Sequence, residues 1–249
     1  SMQDFGDRYA KHCNVTKMLH QLGFERWCHA NCTSYDDILV TREERARLNW
    51  EDDFDPEPGS ELRRKGWYSG DKRCERIQRF IESIKPGERF FISEHMSDTH
   101  FPWSKTGIDR ARELGFENGL DFAEADHKVD IPYMQEYHQE VTRNDAQIGR
   151  MFDSLKKKGL WDNTMIIVIG DHGCQWRENE HMYYPGQLYK PALHIPLLIK
   201  FPGIKGGQVV DEHVMQVDVM PTVMELAGMR HMNPDPRYPL PSLSLVPLM

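Results

Sequence analysis

Two potential metal ligands, Asp171 and His172, stand side by side between a short apolar run and Gly173. The run over residues 165–169 is rich in β-branched side chains and ends abruptly, which predicts a buried strand. An aspartate offers a hard anionic oxygen and a neutral histidine offers an imidazole nitrogen, so the pair suits a divalent cation. In open α/β sheets, ligands bind just outside the carboxyl ends of strands. The segment therefore predicts a metal site, and a strand that ends in an ordinary polar turn is the alternative at this point.

Helices and strands alternate along the chain, and these elements must position the pair. Apolar periodicity predicts helices over residues 7–24, 72–84, 131–158 and 217–227, and strands over residues 24–30, 89–93, 165–169 and 194–200. The alternation predicts an α/β fold with a mostly parallel sheet flanked by helices. Asp218 is the expected N-cap of the last helix, and Gly228 is expected to end it.

Length and composition indicate one ordinary globular unit. The 249 residues, of which 39% are hydrophobic and 28% are charged, suffice for a sizeable core. We expect a single domain over residues 1–249. It comprises a first helix–strand unit (1–48), an exposed loop (49–71) and a core (72–249). A second polar segment, residues 104–130, is expected to lie over the site.

Charge and cysteine content exclude several classes of protein. The net charge of −8 argues against nucleic-acid binding, because that requires a basic surface. No apolar run approaches the length of a membrane span. The five cysteines are odd in number and irregularly spaced, so no disulfide framework is predicted. Two Asn-x-Thr triplets, at Asn14 and Asn31, give a weak indication of a secretory route.

Several motifs occur in an order that resembles the sulfatase branch of the alkaline-phosphatase superfamily. They are the segments 100–103 (His-Phe-Pro-Trp), 144–149 (Asn-Asp-Ala-Gln-Ile-Gly), 162–164 (Asp-Asn-Thr), 167–173 (ending in Asp-His-Gly), 195–203 (Ile-Pro-Leu-Leu-Ile-Lys-Phe-Pro-Gly), 216–222 (Gln-Val-Asp-Val-Met-Pro-Thr) and 242–248 (Ser-Leu-Ser-Leu-Val-Pro-Leu). Each motif alone is weak, but the ordered set is specific. The segment 10–30 is similar to the family more loosely.

The resemblance implies an alkaline-phosphatase-like fold and the hydrolysis of sulfate esters with a divalent metal. It maps Asp171 and His172 onto two of the metal ligands. Ca²⁺ is the expected metal of a sulfatase, whereas phosphoryl-transferring relatives use Mn²⁺ or Zn²⁺.

The resemblance also implies residues that contact the anionic substrate. His100 maps onto the histidine that contacts the sulfate or protonates the leaving group. Pro185 stands where relatives carry a lysine for the anionic group, so His181 or Lys190 is expected to take its place.

The amino-terminal features of the family are missing. Family members place a Cys or Ser within Cys/Ser-x-Pro/Ala-x-Arg as the precursor of the nucleophile, with two metal-binding aspartates nearby. Cys32 is followed by Ser34 and Asp36 where that motif requires Pro or Ala and then Arg, so Cys32 is not expected to be the nucleophile. The pair Asp36-Asp37 comes after the helix and strand predicted within residues 7–30 and does not lie on the first strand. We therefore expect the carboxyl two-thirds of a sulfatase, with a sheet that is incomplete on its amino-terminal side.

Three functions remain open from the sequence. The first is a sulfatase whose nucleophile is supplied by a missing segment, and the stretch 196–203 (Pro-Leu-Leu-Ile-Lys-Phe-Pro-Gly) favours it. The second is a phosphodiesterase or a phosphoglycerol or phosphoethanolamine transferase, because Gly-Asp-His-Gly (170–173) also occurs in those relatives. The third is a non-catalytic scaffold that binds an anionic glycan or a partner protein.

An incomplete sheet and the family itself lead to two further expectations. A missing first strand would expose a sheet edge, through which two copies of the chain are expected to pair. The family and the two Asn-x-Thr triplets favour a secretory, lysosomal or periplasmic location.

Overall fold

The computed structural model describes residues 22–24, 26–30, 51–52, 70–96, 98–100, 130–176, 182–183, 188–228 and 242–249. Several sequence-based predictions fall outside these ranges. They are the helix over residues 7–24 except its last residues, Cys32, Asp36, Asp37, nearly all of the segment 104–130, and His181.

The first strands form a parallel sheet. β1 (Arg26–Ala30) pairs with β2 (Glu51–Asp52) and with β3 (Phe90–Glu94), in the order β2-β1-β3. The predicted strands over residues 24–30 and 89–93 are thereby confirmed. Residues 51–52, inside the expected loop over residues 49–71, form the short strand β2 instead. Its pairing with β1 satisfies backbone N–H and C=O groups on the edge of β1 that does not face β3.

Two long helices build the core against this sheet. α1 (Gly70–Ser83) and α2 (Asp130–Lys157) confirm the predicted helices over residues 72–84 and 131–158, and α1 packs against both β1 and α2. The helical spacing of apolar residues in α1 gives it one buried face. The buried core consists of Cys28, Ile77, Phe80, Ile81, Ile84 and Leu155. Burial of each large aliphatic or aromatic side chain stabilises the fold by about 1.5–3 kcal/mol. No helix in the described ranges is both long and apolar enough to cross a membrane.

The strand that leads to Asp171 and His172 is β4 (Ile166–Ile169). It is followed by the short strands β5 (Gln175–Trp176) and β6 (Met182–Tyr183), the one-turn helix α3 (Lys190–Leu193), and β7 (Leu197–Lys200). β4 and β7 pair in antiparallel orientation, as do β5 and β6. Both kinds of pairing are therefore present among the described strands, and a mostly parallel sheet stays a prediction.

β4 is less buried than its sequence predicts. Residues 166–168 are half-buried and Ile169 is 39% exposed. Within the described residues β4 has one paired neighbour, β7, whose Leu198 is itself 61% exposed. Because Ile169 pairs with Leu197 and Val168 pairs with Leu198, the two exposed side chains lie on opposite faces of the strand pair, and neither face is fully covered by the described residues.

A lysine fixes the start of β4. The Nζ of Lys200, on β7, donates to the carbonyl oxygens of Trp161 (2.7 Å) and Thr164 (3.0 Å). The same ammonium lies 4.9 Å from the centre of the Trp161 ring. These contacts hold the turn between α2 and β4, so the register of β4 is set at the end opposite Asp171.

The carboxyl-terminal helix is α4 (Val219–Leu226), which follows a 3₁₀ turn at Gln216–Asp218 and confirms the predicted helix over residues 217–227. Gly228, at φ 73°, ends it as predicted. Asp218 occupies the predicted N-cap position, but its side chain makes no cap bond to α4. Its carboxylate accepts the backbone N–H groups of Met215 (2.8 Å) and Leu243 (2.9 Å) instead.

Candidate active site

Backbone hydrogen bonds place Asp171 and His172 at the carboxyl end of β4. The N–H of Gly170 donates to Pro196 O (3.1 Å), which extends the ladder with β7 by one step past the strand. The N–H of Gly173 donates to Ala192 O (2.8 Å), so α3 lies directly against the segment that carries the pair. The two candidate ligands are therefore held between two backbone anchor points.

A glutamine side chain adds a third anchor. The Nε2 of Gln216 donates to Gly170 O (2.7 Å) and to Asp171 O (2.8 Å). Gln216 begins the 3₁₀ turn before α4, so this contact ties the carboxyl-terminal helix to the end of β4.

The side chains of the pair are arranged for joint ligation. His172 Nδ1 lies 2.9 Å from Gly173 O, and because a carbonyl can only accept, Nδ1 carries the proton and Nε2 presents a lone pair. His172 Nε2 lies 3.6 Å from Asp171 Oδ2. Two ligands at about 2.4 Å from one Ca²⁺, with a ligand–metal–ligand angle of about 90–100°, lie about 3.4–3.7 Å apart. The separation therefore fits two donors to a single cation.

The pair is accessible to a cation from solvent. The Asp171 side chain is 74% exposed and that of His172 is 34% exposed. No group of three or more His, Cys, Asp or Glu residues in the described part of the chain is arranged to hold a metal. Asp171 and His172 would thus supply two ligands of a larger set.

Two protonated groups lie beside Asp171. Burial raises the pKa of the Cys174 thiol to about 11, and the negative charge of Asp171 adds to this rise. Burial also raises the pKa of the Tyr137 hydroxyl, with further contributions from Cys174 and Asp171. Since Cys174 stays a thiol at neutral pH, it is not a thiolate nucleophile there. Tyr137 belongs to α2, which therefore runs within electrostatic range of the end of β4.

The end of β3 reaches the same helix. Asp98, two residues before His100, is bound by Arg73 of α1 at 2.8 Å. Burial raises the pKa of the Glu140 carboxyl on α2; Arg143 opposes this rise and the charge of Asp98 adds to it. Tyr137 and Glu140 are three residues apart and lie on one face of α2. The ends of β3 and β4 thus approach the same stretch of this helix.

The predicted site residues are distributed unevenly over this region. Asp171 and His172 lie together, as described above. Lys190 is exposed and begins α3, whose Ala192 carbonyl contacts Gly173. His100 is exposed in the bend after Asp98. His181 lies outside the described residues.

The sequence-based reasoning missed Arg73, Tyr137, Glu140 and Gln216. A signal exists for two of them. Arg73 lies on the same helical stripe as the apolar residues of α1, where a cation requires a buried partner. Glu140 is buried on the face of α2 that also carries Leu155, a core residue. Gln216 stands within a motif, but its spacing alone does not indicate that it binds the carbonyls of Gly170 and Asp171.

Comparison with known proteins gives relatives along part of the chain. It is 36% identical over 92 residues to arylsulfatase K of Canis lupus familiaris, a match that covers 37% of this chain and 17% of that protein. It is 29% identical over 150 residues to an endo-4-O-sulfatase of Bacteroides thetaiotaomicron, covering 56% of this chain and 29% of that protein. The chain thus spans less than a third of the length of either relative.

The fold and the family are shown by two further comparisons. The structure superposes on the lipoteichoic acid synthase LtaP of Listeria monocytogenes with a TM-score of 0.61 and 17% identity, covering 92% of this chain and 55% of that one. The chain therefore has the fold shared by sulfatases and their alkaline-phosphatase-like relatives. The model of the family described as Sulfatase matches residues 5–229. This match covers most of the chain, which therefore belongs to the sulfatase family.

Proposed function

We propose that this chain carries the part of a sulfatase active site that binds the metal and the leaving group, and that its substrates are sulfate esters. The observation that carries the proposal is the 3.6 Å separation of Asp171 Oδ2 and His172 Nε2 at the end of β4, in a member of the sulfatase family. The names of the two relatives, an arylsulfatase and an endo-4-O-sulfatase, support sulfate esters as the substrate class.

Asp171 and His172 would hold the divalent cation. When bound, such a cation acts as a Lewis acid on the ester and as a template for the nucleophile. The contact between His172 Nδ1 and Gly173 O holds the imidazole ring in one orientation, as a backbone carbonyl does for the histidine ligands of many metal sites. Gln216 donates to the main-chain carbonyl of Asp171 and so holds in place the backbone that carries the carboxylate.

His100 and a cation would contact the anionic group. A protonated imidazole can act as a general acid, so His100 would donate a proton to a departing alcohol. Lys190 is exposed at the start of α3, beside the segment that carries His172, which supports a role in contacting the sulfate. His181 is the second candidate for this contact.

Ca²⁺ is the proposed metal. An exposed carboxylate is a ligand that Ca²⁺ prefers, whereas an imidazole nitrogen suits Zn²⁺ better. A comparison of these metals therefore discriminates between the sulfatase and the phosphoryl-transferring branches.

The organisation of the chain is also a proposal. We infer a single domain with a mostly parallel sheet, because β1, α1 and α2 share one core and Ile166 of β4 packs against it. We also propose that two copies of the chain pair through a sheet edge. The molecular mass of the chain in solution, measured by scattering, tests this.

The first prediction concerns the metal. At a free concentration one hundred times its dissociation constant, a bound cation stabilises the fold by about 2.7 kcal/mol. We expect Ca²⁺ to raise the melting temperature of the chain and Asp171→Ala to abolish this rise, because the variant loses one of the two ligands. Asp211→Ala is the matched control, since Asp211 is exposed and distant in sequence from the pair. A calcium-induced rise that persists in Asp171→Ala would place the metal elsewhere.

Turnover distinguishes the three functions. The metal-loaded chain is assayed with 4-nitrophenyl sulfate and with bis(4-nitrophenyl) phosphate. Hydrolysis of the sulfate supports the proposal, and hydrolysis of only the phosphodiester overturns it in favour of the phosphoryl branch. Metal binding without turnover of either ester is the outcome expected of the non-catalytic scaffold, and equally of a sulfatase whose nucleophile this chain does not carry.

A further inference from the structure

Arg73 is a buried cation on the apolar face of α1. It is 4% exposed and lies one helical turn before Ile77, a core residue. Burial of an unpaired guanidinium is very costly, so its partners decide what the residue does in the fold.

Those partners join the end of β3 to the loop that carries His100. Arg73 Nε donates to Glu94 Oε1 at 2.7 Å, and Arg73 Nη2 donates to Asp98 Oδ2 at 2.8 Å. Glu94 is the last residue of β3, and Asp98 is two residues before His100. The side chains of Glu94 and Asp98 are only 12% and 8% exposed, so both ion pairs are shielded from water. One planar guanidinium therefore binds two carboxylates that lie four residues apart along the chain, at the end of β3 and just before His100.

A third carboxylate makes the turn depend on this cation. Glu140 of α2 is 5% exposed and lies within electrostatic range of Asp98. Its ion-pair partner, Arg143, is 54% exposed and lies 3.2 Å away. Without Arg73, Asp98 would face Glu94 and Glu140 in a poorly hydrated region, and repulsion would drive Asp98 towards solvent.

We propose that Arg73 is a positioning residue for His100: through Asp98 it sets where the imidazole stands at the carboxyl end of β3. The inference rests on the proposed function for the role of His100, but the positioning itself does not require turnover. The fork geometry matters, because a lysine has a single point charge and cannot hold two carboxylates in fixed, different directions.

Histidine NMR tests the positioning directly. The chain is labelled with ¹³Cε1-histidine, and His100→Gln assigns the His100 resonance. We expect Arg73→Met to shift or broaden that resonance, and Arg73→Lys to restore it only in part. Arg79→Met is the matched control, since Arg79 is an exposed arginine on the same helix. The resonances of His138, His194 and His213, which are exposed elsewhere, report whether the rest of the fold is intact.

A second variant covers loss of the fold. If Arg73→Met moves every histidine resonance, Asp98→Asn is measured, because it removes one partner and leaves the pair between Arg73 and Glu94. We expect Asp98→Asn to move the His100 resonance and leave those of His138, His194 and His213 in place. An unchanged His100 resonance in a folded Arg73→Met or in Asp98→Asn would overturn the proposal.

Kinetics separate this inference from the proposed function. If the chain hydrolyses a sulfate ester, Arg73→Met should lower kcat by about 10–100-fold with little change in KM, because a misplacement of about 1 Å has an effect of that size. A moved His100 resonance would support the positioning whether or not the wild-type chain hydrolyses a sulfate ester, and hydrolysis of only the phosphodiester would contradict the sulfatase proposal alone. Equal kcat in wild type and Arg73→Met, with active wild type, would contradict the positioning alone.

Discussion

Gly173 shows how closely two segments of backbone meet at the candidate site. A Cβ atom at this position would lie 2.0 Å from the carbonyl oxygen of Pro191. That contact is with backbone, so no side chain can swing away to relieve it. Gly173 is therefore required by the close approach of α3.

At the scale of this residue we predict that Gly173→Ala destabilises the fold by about 2–4 kcal/mol. The figure combines the strain of overpacking with loss of the bond to Ala192 O. Gly149→Ala is the control: Gly149 lies inside α2 with no atom within 4 Å of its would-be Cβ, so alanine should stabilise by about 0.5–1 kcal/mol. Urea unfolding measures both changes. A Gly173→Ala variant as stable as wild type would mean that α3 moves freely away from the pair.

At the scale of elements, α4 clamps the last residues of the chain. The Oγ1 of Thr222 donates to Asp218 O (2.6 Å) and accepts the N–H of Leu245 (2.8 Å), while the Asp218 carboxylate accepts the N–H of Leu243. Thr222 is 1% exposed. Asp218, just before α4, and Thr222, one turn later on α4, thus bind alternate backbone amides of residues 242–249, which explains physically why an Asp and a Thr stand four residues apart.

Loss of that hydroxyl should be measurable. We predict that Thr222→Val destabilises the fold by about 1–3 kcal/mol, because the buried N–H of Leu245 loses its acceptor. Thr222→Ser keeps the hydroxyl and should retain most of the stability. Chemical denaturation compares the two variants, and equal losses would show that the methyl group, not the hydrogen bonds, carries the effect.

The sequence predicts most elements but only part of the site, because elements depend on neighbouring residues whereas the site depends on contacts between residues far apart in the sequence. Helices α1 and α2 and strands β1, β3, β4 and β7 follow from local periodicity, which the chain carries within a few residues. Asp171 and His172 are adjacent in sequence, so their proximity needed no tertiary information. Arg73 meets Asp98 only after α1 and β3 pack, and no local pattern encodes that pairing. Asp218 is a further case: the local pattern predicts that it caps α4, whereas its bond to Leu243 joins residues far apart in the sequence.

At the scale of the whole molecule, the buried acid Glu140 links stability to pH. Its folded pKa is raised, so its favourable contribution is fully present below the ordinary pKa of a glutamate and is lost as pH rises through the raised value. We predict that Glu140→Gln, which cannot ionise, gains stability relative to wild type as the pH rises above the ordinary pKa of a glutamate and through the raised value. Unfolding free energies at a series of pH values test this, with the exposed Glu82→Gln as control. Parallel curves for wild type and Glu140→Gln would contradict it.

The two backbone hydrogen bonds that flank Asp171 make opening of the site measurable. The N–H groups of Gly170 and Gly173 donate to Pro196 O and Ala192 O on either side of the ligand pair. Any opening that lets the pair leave its place must break at least one of these bonds and admit solvent to that amide. Hydrogen exchange at these two glycines therefore reports the free energy of opening of the assembled site, in the absence of metal, substrate or turnover.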